Sequence, residues 1–247
     1  MNGFGKSILG LPPVVKNIIL INVVMFIAFL VGDKFFDINL NSILGLYFPK
    51  SDNFKPIQIL SHMFMHANFM HIFFNMYALF IFGLVLENVW GPKRFLIYYL
   101  VCGFGAVIVH EAVIGFEYYK LASLLTPELL QAVINNGTSL LQEGKEYADP
   151  TMKSLQYLLN TPTVGASGAV FGILLAFGVL FPNTQLMLLF PPIPIKAKYF
   201  VLIYGGIELV LTFSQKGSNI AHAAHLGGML FGYILIRYWR KTTNTLY

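Results

Sequence analysis

The sequence predicts an all-α, polytopic membrane protein built as a bundle of six transmembrane helices, and it does so on three observations. Hydrophobic residues make up 56% of the 247 positions and charged residues only 11%, where soluble domains carry roughly a quarter charged. About six runs approach the roughly 20 apolar residues that a spanning helix needs. The basic residues gather at the ends of those runs, as they do in chains that cross a bilayer. A soluble fold would have nowhere to hide so much apolar surface. Over segments of this length, only helices satisfy their own backbone in lipid.

The runs lie near 16–32, 68–86, 95–115, 164–181, 198–213 and 221–238. One set of flanks holds Lys6 and Lys16, Lys93 and Arg94, Lys196 and Lys198, then Arg237, Arg240 and Lys241. These alternate correctly with an even number of spans, so the expectation is a multi-pass protein of the cell membrane with both termini cytoplasmic. The opposite flanks hold most of the acids: Asp33, Asp37, Asp52, Glu117, Glu128, Glu143, Glu146 and Asp149. The net charge of +5 is then a matter of membrane anchoring, and no nucleic-acid partner is implied. Cys102 is the single cysteine, so no disulfide can form within the chain and cysteine usage is silent about compartment. The first run is too long for a cleavable signal and is followed by no small-residue cleavage site.

The chain reads as one domain, 1–247, with an outer loop insertion at about 116–163. A first outer segment, 33–61, is also longer than a tight turn. Within the insertion, Thr126-Pro127-Glu128 reads as cap, first-turn proline and first-turn acid, with Gly137 as a candidate end. Asp149-Pro150 repeats the start signal, and Met152, Leu155, Leu158 and Leu159 follow at helical spacing. Short amphipathic helices at the outer surface are expected, covering the bundle.

A polar or ionisable group inside a membrane is costly and calls for a reason. Three clusters stand out: Gly165-Ala166-Ser167-Gly168 opening the fourth run, His222 to Gly228 opening the sixth, and His62, His66, His71 and Asn75 around the start of the second. The charge pattern puts all three at the outer end. Gly168 and Gly172 are four apart, as are Gly228 and Gly232, and each pair makes a small-residue stripe along which another helix can come close. Such packing could bring the Ser167 hydroxyl within reach of a ring nitrogen. A serine hydroxyl is a poor nucleophile until a base takes its proton. His222 and His225 share one helix face, and spacing alone allows either to be that base. No carboxylate lies near them in sequence or deep in the fourth or sixth run, so a Ser–His dyad is the simpler arrangement. His71 and Asn75, at i and i+4, share a face. With the Ser167 backbone N–H they could bind a developing oxyanion.

Taken in order, His71-Ile-Phe-Phe-Asn75, Gly165-Ala-Ser-Gly168 and Ala224-His225-Leu-Gly-Gly228 with Gly232 following resemble the rhomboid family of intramembrane serine proteases, bacterial type, over roughly 56–238. Each motif is weak alone; the ordered set is specific. The resemblance implies a rhomboid-like six-helix bundle with Ser167 as nucleophile and His225, not His222, as general base. It also implies an oxyanion hole from His71, Asn75 and the Ser167 amide, and an aromatic support for the imidazole in Phe171. It implies no metal or cofactor, and substrates that are single-span or polytopic membrane proteins cut near the outer boundary of the lipid bilayer. Two features depart from the pattern. A Trp-Arg pair of the first outer loop is missing, since the tryptophans are Trp90 and Trp239, and the loop before Gly165 is long.

The alternative is a non-catalytic rhomboid-like protein that binds or escorts membrane clients, but such relatives typically lose the serine or histidine. A metalloprotease would need a second histidine where Ile114 follows His110-Glu111. An aspartyl protease would need paired acids within spans, and every aspartate falls in a loop. A transporter would favour repeated halves with broken helices at the midplane.

Overall fold

The computed structural model describes residues 11–187, 192–214 and 219–242; Lys6, one of the expected flanking cations, lies outside them. Helix α1 (Pro13–Phe36) opens on Pro12-Pro13, where missing amides cost nothing. Its next two amides, Val14 N and Val15 N, donate to the buried carboxylate of Glu87 at 2.9 and 2.7 Å. The following loop carries α2 (Leu40–Leu44), α3 (Gln58–Ser61) and a 3₁₀ turn (His62–Phe64). Buried Gln58 knits it together, donating to the carbonyls of Ile43 and Asn53 and accepting from Lys55 N.

The second run becomes α4 (Phe69–Ala78), a π turn (Leu79–Gly83) and α5 (Leu84–Trp90), and α6 (Pro92–Ala122) follows Gly91. Asn68 caps α4 by accepting from His71 N at 2.9 Å. Helix α6 is longer than the run 95–115. Its last turns enter the insertion and pack with α7 (Pro127–Gln142) and α8 (Pro150–Asn160). There Ile114, Tyr118, Val133, Met152, Leu155 and Leu159 form a second core with Phe48 of the first outer loop. Both expected caps are present: Thr126 Oγ1 accepts from Leu129 N, and Asp149 Oδ1 accepts from Thr151 N and Met152 N. Gly137 does not end α7 as expected. It is buried mid-helix, where a Cβ would lie 3.2 Å from Asn160 Nδ2, so its small size serves packing against α8.

Helix α9 (Ser167–Leu180) begins three residues later than the apolar run, after an extended entry that pairs with the first loop: Leu46 and Thr163 exchange two backbone hydrogen bonds of 2.8 Å. A two-stranded antiparallel ribbon, β1 (Gln185–Met187) and β2 (Pro194–Lys196), leads to α10 (Ala197–Ser214), and α11 (Asn219–Thr242) completes the described chain. The ribbon departs from the all-helical reading, but it lies between helices and leaves the bundle all-α. By length and composition, 13–36, 69–90 and 92–122 can cross a membrane, and Ser167–Leu180 is a shorter apolar helix. Leu20, Val24 and Ile27 on α1 and Leu202 and Val210 on α10 face outward, a surface suited to lipid and unsuited to water.

Helices α6, α9 and α11 pack together through small residues. A Cβ on Gly228 would come within 1.9 Å of the Gly168 carbonyl oxygen, and one on Gly172 within 2.3 Å of Cys102 Sγ. Gly232 leaves room for the Tyr98 hydroxyl, which crosses to donate to the Gly172 carbonyl at 2.8 Å. Because backbone is the obstacle at Gly228, relief requires the helices to part. The Gly228→Leu protein should lose about 1–3 kcal/mol or more to overpacking, read as a lowered thermal midpoint in detergent. An unaltered midpoint would show that α9 and α11 are not held this closely.

Candidate active site

The entry to α9 is shaped by Gly165. Its φ of 130° is open to glycine and strained for other residues. Its amide donates to the His62 carbonyl at 2.9 Å, and a Cβ there would lie 2.7 Å from His71 Nε2. Ser167 is the first residue of the helix, and the first rung of the ladder runs from Val170 N to the Ala166 carbonyl. The amides of Ser167, Gly168 and Ala169 therefore precede the ladder, at the positive end of the helix dipole.

Helix α11 brings His225 to this point, with Nε2 2.8 Å from Ser167 Oγ. Phe171, one turn into α9, lies flat against the imidazole, with ring centroids 4.1 Å apart and an interplanar angle of 5°. That contact fixes the plane of the ring. Ser167, His225, His71 and Gly165 line one cavity of about 190 Å³, together with His62 and His110. Asn75, one turn along α4 from His71, is buried and does not line it; its Nδ2 donates to the His71 carbonyl at 2.8 Å. Gly168 lines the cavity as well, while Gly228 and Gly232 act one layer away, by setting the distance between helices.

In the first outer loop, burial pushes His62 down to about 4 and His66 down to about 3. Both rings are therefore neutral near pH 7. His66 meets the His71 ring edge-on at 4.9 Å between centroids, and so stands behind the cavity histidine as packing.

Where the sequence left no charged partner of the histidines apparent, the fold brings one to them. Glu208 of α10, with a nearly buried side chain, accepts from His222 Nδ1 at 2.6 Å, and the same Oε2 atom lies 3.1 Å from His225 Nδ1. Glu208 lies neither beside the histidines in sequence nor within the fourth or sixth run, but in the fifth. The signal was present as an acid within an apolar run, which is expensive unless partnered. Glu208, His222 and His225 each offer one ligand atom within 4.8 Å of the others, the one such trio spaced for a metal ion among the described residues. His62, His66 and His71 do not form one.

The family model of the rhomboid domain matches residues 53–242, and the chain belongs to the rhomboid family. It is 29% identical over 218 residues to RHOMBOID-like protein 12, mitochondrial, of Arabidopsis thaliana, covering 87% of this chain and 55% of that one. It is 29% identical over 190 residues to Rhomboid protein 1, mitochondrial, of Saccharomyces cerevisiae, covering 77% and 44%. It is 25% identical over 190 residues to Rhomboid protease AarA of Providencia stuartii, covering 74% and 57%. The chain thus spans about half the length of these relatives. They include mitochondrial as well as bacterial proteins, so the bacterial type is not singled out.

The positive φ and the His71 contact together make Gly165 intolerant of a side chain. Gly165→Ala should cost about 1–3 kcal/mol and lower the thermal midpoint, whereas Gly206→Ala on α10, where a Cβ meets nothing within 4 Å, should not. Equal midpoints for the two variants would refute the account of the α9 entry.

Proposed function

We propose that this chain is an intramembrane serine endopeptidase that cuts single-span or polytopic membrane proteins near the outer boundary of the bilayer. The observation that carries the reading is the 2.8 Å contact between Ser167 Oγ and His225 Nε2 at the mouth of a helix N-terminus. Neither group has an evident structural need for the other, and the family includes proteins named as proteases.

In this reading the Ser167 hydroxyl donates to His225 Nε2, and the proton passes to the imidazole as Oγ attacks the scissile carbonyl. The carbonyl oxygen gains negative charge. The donors offered to it are the Ser167 amide, supported by the α9 dipole, and the His71 imidazole N–H, while Asn75 braces the His71 backbone from the next turn. His225 then returns its proton to the leaving amine. Water, activated by the same imidazole, releases the acyl group from Ser167. Phe171 keeps the ring plane aligned through both proton transfers. In this reading the basic flanks lie together on the side of the membrane opposite the cavity.

The test is cleavage of a single-span model substrate by the purified protein in detergent. Ser167→Ala and His225→Ala should each reduce the rate at least about 1,000-fold while the thermal midpoint holds. His222→Ala should retain far more activity than His225→Ala. Equal losses from the two histidine changes would remove His225 as the base. Full activity in Ser167→Ala would remove the serine mechanism altogether.

A further inference from the structure

We infer that Glu208 is a positioning residue for the reaction: through its contact with His225 it fixes which imidazole nitrogen carries the proton and stabilises the imidazolium that forms when Ser167 attacks. This rests on the Ser167–His225 reading above and extends the dyad by one member carried on a different helix.

Glu208 lies in the apolar stretch of α10, between Ile207 and Leu209, which face outward, and its own side chain is only 8% exposed. A carboxylate there loses most of its hydration and needs partners that return it. Its Oε2 atom meets two: His222 Nδ1 at 2.6 Å and His225 Nδ1 at 3.1 Å. A carboxylate oxygen only accepts, so both facing nitrogens are the natural sites for N–H. With its proton on Nδ1, His225 leaves Nε2 as a lone pair, and that is the atom facing Ser167 Oγ at 2.8 Å. The tautomer needed to receive the serine proton is the one that Glu208 favours.

The 3.1 Å contact is close but not in line for a hydrogen bond, and His225 Nδ1 is buried with no other partner. An Nδ1–H in that position has one acceptor to turn to. Catalytic hydrogen bonds are commonly loose before substrate binds and tighten on the reaction path. When the proton leaves Ser167 Oγ for Nε2, the ring gains a positive charge, and its nearest anion is the carboxylate already at Nδ1. No bond to Glu208 forms or breaks, and its proton count does not change. His222 holds the other side of the same oxygen, which fixes the carboxylate in place without touching Ser167. The bland role, in which Glu208 only fastens α10 to α11, predicts an effect on stability and none on chemistry.

The experiment compares wild type with Glu208→Gln and Glu208→Asp in the full chain, with three readouts: the labelling rate of Ser167 by a fluorophosphonate, kcat and KM for a single-span substrate, and the thermal midpoint. Labelling needs an activated serine and no particular substrate. Glu208→Gln keeps shape and polarity but can present NH₂ to Nδ1, so labelling and kcat should both fall about 10- to 100-fold with KM and midpoint nearly unchanged. Glu208→Asp, which keeps the charge, should recover part of the loss. An unchanged labelling rate in Glu208→Gln overturns the inference. So does a loss of rate matched by a fall in midpoint, with no advantage for aspartate. If EDTA abolishes wild-type labelling and has no effect on Glu208→Gln, the carboxylate serves a metal ion and the inference is again overturned. A wild type whose labelling is insensitive to Ser167→Ala overturns the serine reading itself, which separates that failure from this one.

Discussion

The approach of α9 to α11 at Gly168 and Gly228 is the constraint on which the rest of the molecule depends. The Gly168 carbonyl sits where a side chain on residue 228 would begin, so the two backbones touch with nothing between them. Lipid gives helices no hydrophobic reason to associate, and small residues make close backbone contact the main source of packing attraction. Beside this contact the same two helices carry Ser167, next to Gly168, and His225, one turn before Gly228. Their 2.8 Å separation follows from the helix spacing, and a side chain at the crossing would lengthen it.

The surroundings reinforce that geometry from three sides. Helix α6 closes the groove with Cys102 against Gly172 and Tyr98 against Gly232. Phe171 holds the imidazole flat. The first outer loop is clipped to the α9 entry by the Leu46–Thr163 pair and by the Gly165 amide on the His62 carbonyl. The insertion extends this outward: its own core grips Phe48, so the loop that borders the cavity is anchored to both the bundle and the cover. A cavity at the end of an apolar bundle thus acquires rigid walls without a single disulfide.

Polar atoms inside the bundle are few, and several do structural work that leaves no trace in a hydropathy profile. Glu87 closes the start of α1, and Glu208 bridges two histidines. Each carboxylate meets partners from a distant part of the chain, as a membrane interior demands of any charge it holds. Glu87 stands 73 residues from Val14, and no local pattern connects them.

By itself the sequence determined the membrane class, the helical architecture, the positions of the helices and the ordered motifs that mark the family, because lipid imposes length, apolarity and terminal charge on each span independently of its neighbours. It also carried the caps at Thr126 and Asp149, which are local hydrogen bonds. Tertiary structure alone decided the rest. Helix α6 runs past its apolar run because the insertion gives its polar turns a core, and Gly137 sits mid-helix because α8 packs on it. The 2.8 Å and 3.1 Å contacts of His225 unite α9, α10 and α11. Glu208 belongs with these: a carboxylate 14 positions before His222 becomes its neighbour only when two helices fold back on each other, and that distance is set by packing rather than by spacing along the chain.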